Sequence, residues 1–366
     1  MLNFRVDGPA HAPALLLGPS LGTSLRVWDA QAAALSRHFR VVRYDLPGHG
    51  GSKVVPGATS MEALATLVLG VADAAGADAF HHAGISLGGA IGAWLALRHP
   101  GRVLSLTMVC SAARFGTEES WHERSALVRE HGTQALAEAA RGRWFTANAG
   151  EAAVQAMIDD LLAVDDEGYA ECCEALSGYD IRADLANITT PALVVAGRDD
   201  PAVPPPVARE LADGIPGATL HELPGAAHLA PVERPGAVLA AMRAHLPRAD
   251  GMAVRRAVLG DDHVDRAVAG TTDFTADFQD LITRYAWGEI WTRPGLDRRT
   301  RSCVTLTALV AGGHLDELAM HVRAAVRNGL THDEIKEVLL QTAIYCGVPA
   351  ANAAFAVARR TLGNLE

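Results

Sequence analysis

Cysteine is scarce and unpatterned in this chain. There are five in 366 residues, none forms a Cys-x-x-Cys pair, and two (Cys172 and Cys173) are adjacent. That excludes a disulfide framework and makes a reducing, cytoplasmic setting the expectation. The opening "MLNFRVDGPA" carries an arginine and no apolar h-region, so no signal peptide is predicted. No apolar run approaches the roughly 20 residues that a membrane-spanning helix needs. Positive charge is also in deficit. With 32 Lys and Arg against 42 Asp and Glu, the formal net charge is −10, which argues against nucleic acid or an anionic membrane as partner. An anionic small substrate would then need local arginine or histidine to offset the general field. No internal repeat and no low-complexity tract is present.

What is present is an ordinary globular balance, 49% hydrophobic and 20% charged, in a chain long enough for two domains. Up to about residue 112, buried-strand patterns alternate with helical ones. "PALLLGPS" (13–20), "FRVVRYDLPG" (39–48), "FHHAGIS" (80–86) and "LSLTMVCSA" (104–112) each end in turn residues, with helix patterns at 28–37 and 61–75 between them. Such alternation predicts a mostly parallel sheet covered by helices. From about 114 to 185 the pattern is helical, with Trp121, Leu127, Leu136, Trp144, Phe145, Met157 and Leu161 as apolar anchors. Strands resume at "TPALVVAGRDD" (190–200) and "GATLHELPG" (217–225), so the helical block reads as a lid over the sheet's C-terminal edge. The stretch 245–262 carries Pro, Gly and mixed charge and reads as a linker. Beyond it every pattern is helical. Phe278, Leu281, Ile282 and Tyr285 follow helical spacing, Thr331 to Glu334 is a capping box, and Pro349 suits a helix's first turn. The predicted division is residues 1–250 and 251–366.

Ser86 sits in Gly-Ile-Ser-Leu-Gly, directly after a strand and directly before the helix pattern "GGAIGAWLALRHP". That context predicts a nucleophile elbow rather than a packing turn. The partners should follow in the order acid, then histidine. Asp200, four positions into Gly197-Arg198-Asp199-Asp200, is the first choice for the acid, and Asp199 remains an alternative. His228 is the candidate base, while His81 and His82 read as packing or site-lining residues. Oxyanion donors should be the backbone amide after the nucleophile, Leu87, and one from the loop "GPSLGTSLRVWD", Leu21.

Together these stretches resemble the α/β-hydrolase fold. "SLGTSLRVWD", "RYDLPGHGGS", "GISLGG", "AGRDDPAVPP" and "GAAHLAPVERP" further resemble the 3-oxoadipate enol-lactonases. The resemblance implies attack of Ser86 on a lactone that carries a free carboxylate. Lid arginines Arg114, Arg124 and Arg143 are candidates to hold that carboxylate, beside Trp144.

The C-terminal hundred residues carry no cofactor motif. His314, Glu317 and His321, three and four apart, are expected on one helix face. Without a second ligand cluster, neither a metal nor any cofactor is expected. "YAWGEIWTRPGLDRRTRSCVTLTALVAGGHLDELAMHVRAAVRNGLTHDEIKEVLLQTAIYCGVPAANAAF" closely resembles 4-carboxymuconolactone decarboxylase, an all-α family related to the alkylhydroperoxidase-like fold. In redox relatives a Cys-x-x-Cys precedes a histidine. Here His314 and Glu317 occupy the cysteine positions and His321 keeps the histidine's, which excludes thiol redox chemistry on this helix. The resemblance implies cofactor-free decarboxylation, because the carbanion is conjugated to the lactone carbonyl. His321 is the expected proton donor or carbonyl partner, on an unshifted pKa near operating pH. Glu289, Tyr285 and Glu317 could assist, and Arg298, Arg299 and Arg301 are candidate carboxylate clamps. Such small helical domains commonly assemble, so a homo-oligomer through this domain is expected. The two halves would carry consecutive steps of protocatechuate catabolism. The alternative is a broader carboxylesterase with a non-catalytic helical tail that drives oligomerisation.

Overall fold

The computed structural model of the chain describes residues 1–10, 12–246, 251–293 and 295–363, the side chains of Asp273 and Arg284 excepted. Two compact units divide between Leu246 and Pro247. The first is built on a seven-stranded sheet: β1 (Phe4–Asp7), β2 (Ala14–Gly18), β3 (Arg40–Tyr44), β4 (Phe80–Ile85), β5 (Val103–Val109), β6 (Ala192–Gly197) and β7 (Thr219–Leu223). The spatial order is β1-β3-β2-β4-β5-β6-β7. All neighbours are parallel except β1, which runs antiparallel to β3. The central strands β2, β4 and β6 are buried at every residue, as parallel strands covered on both faces must be. That is why they read as unbroken apolar runs. Strand β1 was not anticipated. Only four residues long and half-exposed at an edge, it has too little apolar content to stand out. Its place is fixed by Asp7, which accepts from the buried Arg43 at 2.7 Å.

Ten helices complete this unit: α1 (Asp29–Leu35), α2 (Met61–Ala74), α3 (Leu87–Arg98), α4 (Glu118–His131), α5 (Ala137–Trp144), α6 (Glu151–Leu162), α7 (Asp166–Ser177), α8 (Pro205–Gly214), α9 (Ala230–Glu233) and α10 (Pro235–His245). The inserted block α4–α7 is a closed excursion. Arg114 and Asp180, at its two ends, form an antiparallel bridge, and the Ile181 amide donates to the Ala113 carbonyl at 3.0 Å. Trp144, Phe145, Met157 and Leu161 are buried in the main core as the pattern predicted. Leu127 is 39% exposed, because it faces a cavity rather than the core.

The second unit is helical: α11 (Gly251–Leu259), α12 (Asp261–Ala269), α13 (Asp273–Ile282), a π-helical segment Thr283–Ile290, α14 (Arg298–Gly312), α15 (Leu315–Arg327), α16 (His332–Cys346) and α17 (Val348–Leu362). The capping box at Thr331 and Glu334 forms, and Pro349 lies in the first turn of α17. Leu306, Val310, Leu318, Val322, Ile335 and Leu339 make one core. A smaller one joins Val258, Leu259 and Val264 to Trp287 and Ala324. The linker expectation is therefore corrected over much of its length. Residues 251–259 and 261–269 are helices whose apolar faces are buried in that smaller core, and 247–250 lie outside the described residues. Mixed charge disguised an amphipathic pair.

Burial also sets a pH response. His49, His81 and His82 are buried, and desolvation pushes their pKa values down to about 4, 4 and 3. Both ring nitrogens of His82 lack a partner. The unfolded chain binds protons near pH 6.5, so stability present above that pH is lost as pH falls towards 4, by about 1.4 kcal/mol per pH unit for each histidine titrating only when unfolded. Urea unfolding between pH 7 and 4.5 should show this decline. His82→Leu, which removes two orphaned nitrogens, should flatten the slope, and an unchanged slope would contradict the assignment.

Candidate active site

The turn after β4 places Ser86 at φ 53°, ψ −116° as the N-cap of α3. A left-handed conformation costs a non-glycine residue roughly 1–3 kcal/mol and persists only where the surroundings impose it. Here they do. A Cβ on Gly84 would lie 2.1 Å from the Gly88 carbonyl carbon, and one on Gly88 would lie 2.5 Å from the Gly18 carbonyl. Only glycine at both positions lets α3, β4 and β2 approach this closely. The Ser86 amide donates to the Val109 carbonyl at 2.9 Å, and the Ser111 hydroxyl donates to the Ser86 carbonyl at 2.9 Å.

Asp200 and His228 meet from two different loops. His228 Nδ1 lies 2.9 Å from Asp200 Oδ2, both residues being buried. The other oxygen, Asp200 Oδ1, accepts from the Ala202 and Val203 amides at 2.8 and 3.0 Å. The carboxylate is thus held in place and aimed at the imidazole. Asp199 instead accepts from the Gly225 amide at 3.0 Å, bracing the neighbouring turn, so the geometry favours Asp200. The histidine loop is pinned by Glu233, which accepts from the amides of Ala227 and Thr146, and by the Leu229 amide on the Trp144 carbonyl.

Ser86 and His228 open on one cavity of about 700 Å³, which Leu21, Arg124, Arg143, Trp144 and Tyr169 also line. Among residues 21–25, the amide of Gly22 donates to His49, Thr23 to Ser20, Ser24 to Asp160 and Leu25 to Asp45. Leu21 alone keeps its amide unpaired among the described residues, and so does Leu87 at the start of α3. The two expected oxyanion donors are therefore available. His49 positions the first of them. Its Nε2 accepts from Gly22 at 3.0 Å, so Nδ1 carries the proton and donates to the Pro47 carbonyl at 2.8 Å. Sequence reasoning gave His49, Asp45, Ser111 and Glu233 no role, because each acts through contacts formed only in the fold.

Of the lid arginines, Arg114 faces Asp180 and is spent at the lid's ends. Arg124 lies over the Trp121 ring at 4.9 Å, and Arg143 is half-buried beside it, its pKa lowered by desolvation and by Arg124. Neither has a carboxylate ion pair among the described residues. Two like charges share one cavity, whose lining also includes Glu123.

In the helical unit the placements differ more from expectation. His314 is the N-cap of α15, not part of its face, because Gly313 breaks the helix in a left-handed turn. Among the described residues no group of three His, Cys, Asp or Glu could hold a metal ion. Glu317 and His321 lie one turn apart on α15. His321 is mostly buried, and desolvation, with the nearby His263, pushes its pKa down to about 4, Glu317 opposing. The unshifted proton donor is thereby corrected: in the free protein this imidazole is neutral. Tyr285 and Glu289 fall on the π-helical segment, with Tyr285 57% exposed. Arg299 is paired with Glu334, and Arg301 holds the Arg293 carbonyl at 2.7 Å. Arg298 is exposed and has no ion-pair partner among the described residues.

A serine on a strained strand-to-helix turn, a buried Asp–His pair and two free amides define a hydrolase of the α/β class. Comparison with known proteins carries this further. The model of the "alpha/beta hydrolase fold" family matches residues 13–235 and that of the "Carboxymuconolactone decarboxylase family" matches 276–360. The chain belongs to the alpha/beta hydrolase fold family and, in its C-terminal unit, to the carboxymuconolactone decarboxylase family. It is 37% identical to 3-oxoadipate enol-lactonase 2 of Acinetobacter baylyi, over 68% of this chain and 93% of that protein. It is 50% identical to 4-carboxymuconolactone decarboxylase of the same organism, over 31% of this chain and 86% of that protein. The crystal structure of the enol-lactonase from Burkholderia xenovorans superposes with a TM-score of 0.65 at 40% identity, over 67% of this chain and 95% of that one.

Changing the acid tests the site. Asp200→Asn should lower ester or lactone hydrolysis by about ten-thousandfold, since the amide cannot fix the required imidazole tautomer. Asp199→Asn should cost far less, through its turn alone. Equal, mild losses in both kcat values would reject the assignment.

Proposed function

We propose that this chain catalyses two consecutive reactions, decarboxylation of 4-carboxymuconolactone within residues 251–366 and hydrolysis of the resulting 3-oxoadipate enol-lactone within residues 1–250. The observation that carries this is the fusion itself: relatives named for these two activities align with the two units of one chain. The product of the first reaction is the substrate of the second.

In the hydrolase unit Ser86 attacks the lactone carbonyl while His228 takes its proton through Nε2. Asp200 holds Nδ1–H and stabilises the imidazolium. Charge on the carbonyl oxygen is met by the Leu21 and Leu87 amides, each such donor contributing roughly 3–4 kcal/mol. The ring oxygen leaves as a stabilised enolate, and water then frees the acyl-enzyme. The carboxylate of the substrate lies against Arg124 and Arg143, where it relieves their mutual repulsion, with Trp144 on the cavity wall. In the helical unit, loss of CO2 leaves a carbanion conjugated to the lactone carbonyl. His321 serves that carbonyl and the proton. Its depressed pKa rises when a dianion binds beside it. Glu317, Glu289 and Tyr285 assist, and Arg301 remains an anion contact by its partly buried edge. The five free thiols suit a cytoplasmic setting; no described helix is long and apolar enough to cross a membrane.

The variants Ser86→Ala and His321→Ala separate the activities. Supplied with 4-carboxymuconolactone, Ser86→Ala should release CO2 at the normal rate and accumulate enol-lactone, because an alkoxide-like nucleophile has no part in decarboxylation. His321→Ala should leave that substrate largely unconsumed yet hydrolyse added enol-lactone. Loss of CO2 release in folded Ser86→Ala would end the two-site reading.

Oligomerisation through the helical unit is supported by apolar side chains left exposed there. Ile344, Tyr345 and Val348 are 79, 79 and 74% exposed at the junction of α16 and α17, and Phe274 is 96% exposed. A second copy of the chain is the proposed occupant of this surface. Light scattering should give a multiple of the chain mass, and Ile344→Glu with Tyr345→Glu should reduce it. A monomeric native protein would exclude the proposal.

A further inference from the structure

Arg255 and Arg256 are neighbours on α11 with opposite fates. Arg256 is partly exposed and pairs with two carboxylates, Asp261 at 3.1 Å and Asp265 at 2.7 Å. Arg255 is 4% exposed and has no carboxylate partner among the described residues. Its Nη1 donates to neutral acceptors, Gln279 Oε1 at 2.9 Å and Thr283 Oγ1 at 3.2 Å. Among the described residues the opposite edge, Nε and Nη2, has no acceptor, and Nε is buried. That edge is the fork by which a guanidinium grips a carboxylate with two parallel bonds.

Burying a charge without an anion is costly, and such a charge is retained only where something else compensates it. The surroundings add positive charge instead. The His263 imidazole is depressed by Arg255, Arg266 and Arg323 as well as by burial, and His263 in turn depresses His321. Met320 and Ala324, on either side of His321 along α15, pack with Val258 and Leu259 of α11 and Val264 of α12. Arg255 acts electrostatically on His263 and His263 on His321, each of the three lying beside residues of this small core in sequence, and among the described residues nothing accepts from the Arg255 fork.

We infer that Arg255, with His263, forms the carboxylate-binding site of the decarboxylase unit, and that α11 and α12, outside the residues matched by the family model (276–360), are a working part of it. The inference rests on the decarboxylase reading of this unit. The substrate is a dianion with one carboxylate that departs and one that stays. A cation clamped on the departing group would stabilise the ground state and oppose its conversion to neutral CO2. Arg255 therefore holds the retained acetate arm, leaving His321 to the lactone carbonyl and the proton. Of the clamps proposed from sequence, Arg299 is occupied by Glu334, Arg301 spends Nη2 on the Arg293 carbonyl, and Arg298 is exposed.

A binding role of this kind appears in KM rather than kcat. In the full-length protein, Arg255→Gln should raise KM for CO2 release on the order of 100-fold, the usual scale for deleting one member of a buried charge pair, with kcat within about threefold. Arg255→Lys keeps the charge without the fork and should raise KM about tenfold. It decides the matter if the glutamine variant fails to fold, as judged by circular dichroism and retained enol-lactone hydrolysis. Unchanged KM, or a fall in kcat at constant KM, would overturn the inference. A second probe is the tetrahydrofuran bearing the same two carboxylates but no lactone carbonyl, which can neither decarboxylate nor be hydrolysed. Calorimetric titration should show one binding site lost in Arg255→Gln, and identical binding to both proteins would overturn the inference. If the native protein binds this probe through Arg255 yet releases no CO2, the decarboxylase reading fails while the anion site stands.

Discussion

The contact between two backbones beneath Ser86 sets the geometry of the hydrolase unit. Because position 88 carries no Cβ, the first turn of α3 rests on the carbonyl of Gly18 at the end of β2. The same approach brings the loop that follows β2 against the start of α3. One close contact therefore places the serine, the Leu87 amide behind it and the Leu21 amide opposite it. The remaining parts hold the arrangement in register. Asp45 accepts from Leu25, Asn3 and Gly51, His49 accepts from Gly22, and Glu233 ties the histidine loop to the lid. These are neutral or charge-assisted bonds made by buried groups, the kind whose loss is costly.

Electrostatics in this acidic chain follow a single logic. Several arginines are matched by carboxylates, as Arg129 is by Glu167 and Glu174 or Arg141 by Glu151. Three others have no such partner among the described residues. Arg124 and Arg143 face the hydrolase cavity unmatched, and Arg255 is buried unmatched in the helical unit. A protein of net charge −10 repels anions at long range, so the anion contacts proposed for these arginines would supply affinity at short range, where desolvation strengthens them. Neutral histidines complement this: His49 must be neutral to accept a hydrogen bond, and burial holds the His321 pKa down.

Much of the fold was legible because its signals are local. Six of seven strands were marked by apolar runs ending in turn residues, and the elbow by two glycines around a serine. The capping box at Thr331 and the proline in α17 likewise report only on their own helices. The misses have a common cause as well. Strand β1 is defined by pairing with β3 rather than by its composition. The helical residues within 251–262 looked like a linker because their apolar faces are narrow and their charges dense. His314 fell off its expected helix face because Gly313 adopts a left-handed turn.

The sequence by itself determined the fold class of each unit, the positions of Ser86 and His228, and the choice of two families, since these depend on residue type at fixed spacing. Tertiary structure decided between Asp199 and Asp200, because both satisfy the spacing and only one reaches the imidazole. It also decided which arginines are free to bind an anion and what protonation state His321 holds. Charge pairing and desolvation are properties of what surrounds a group, and those neighbours lie on other helices, far away along the chain.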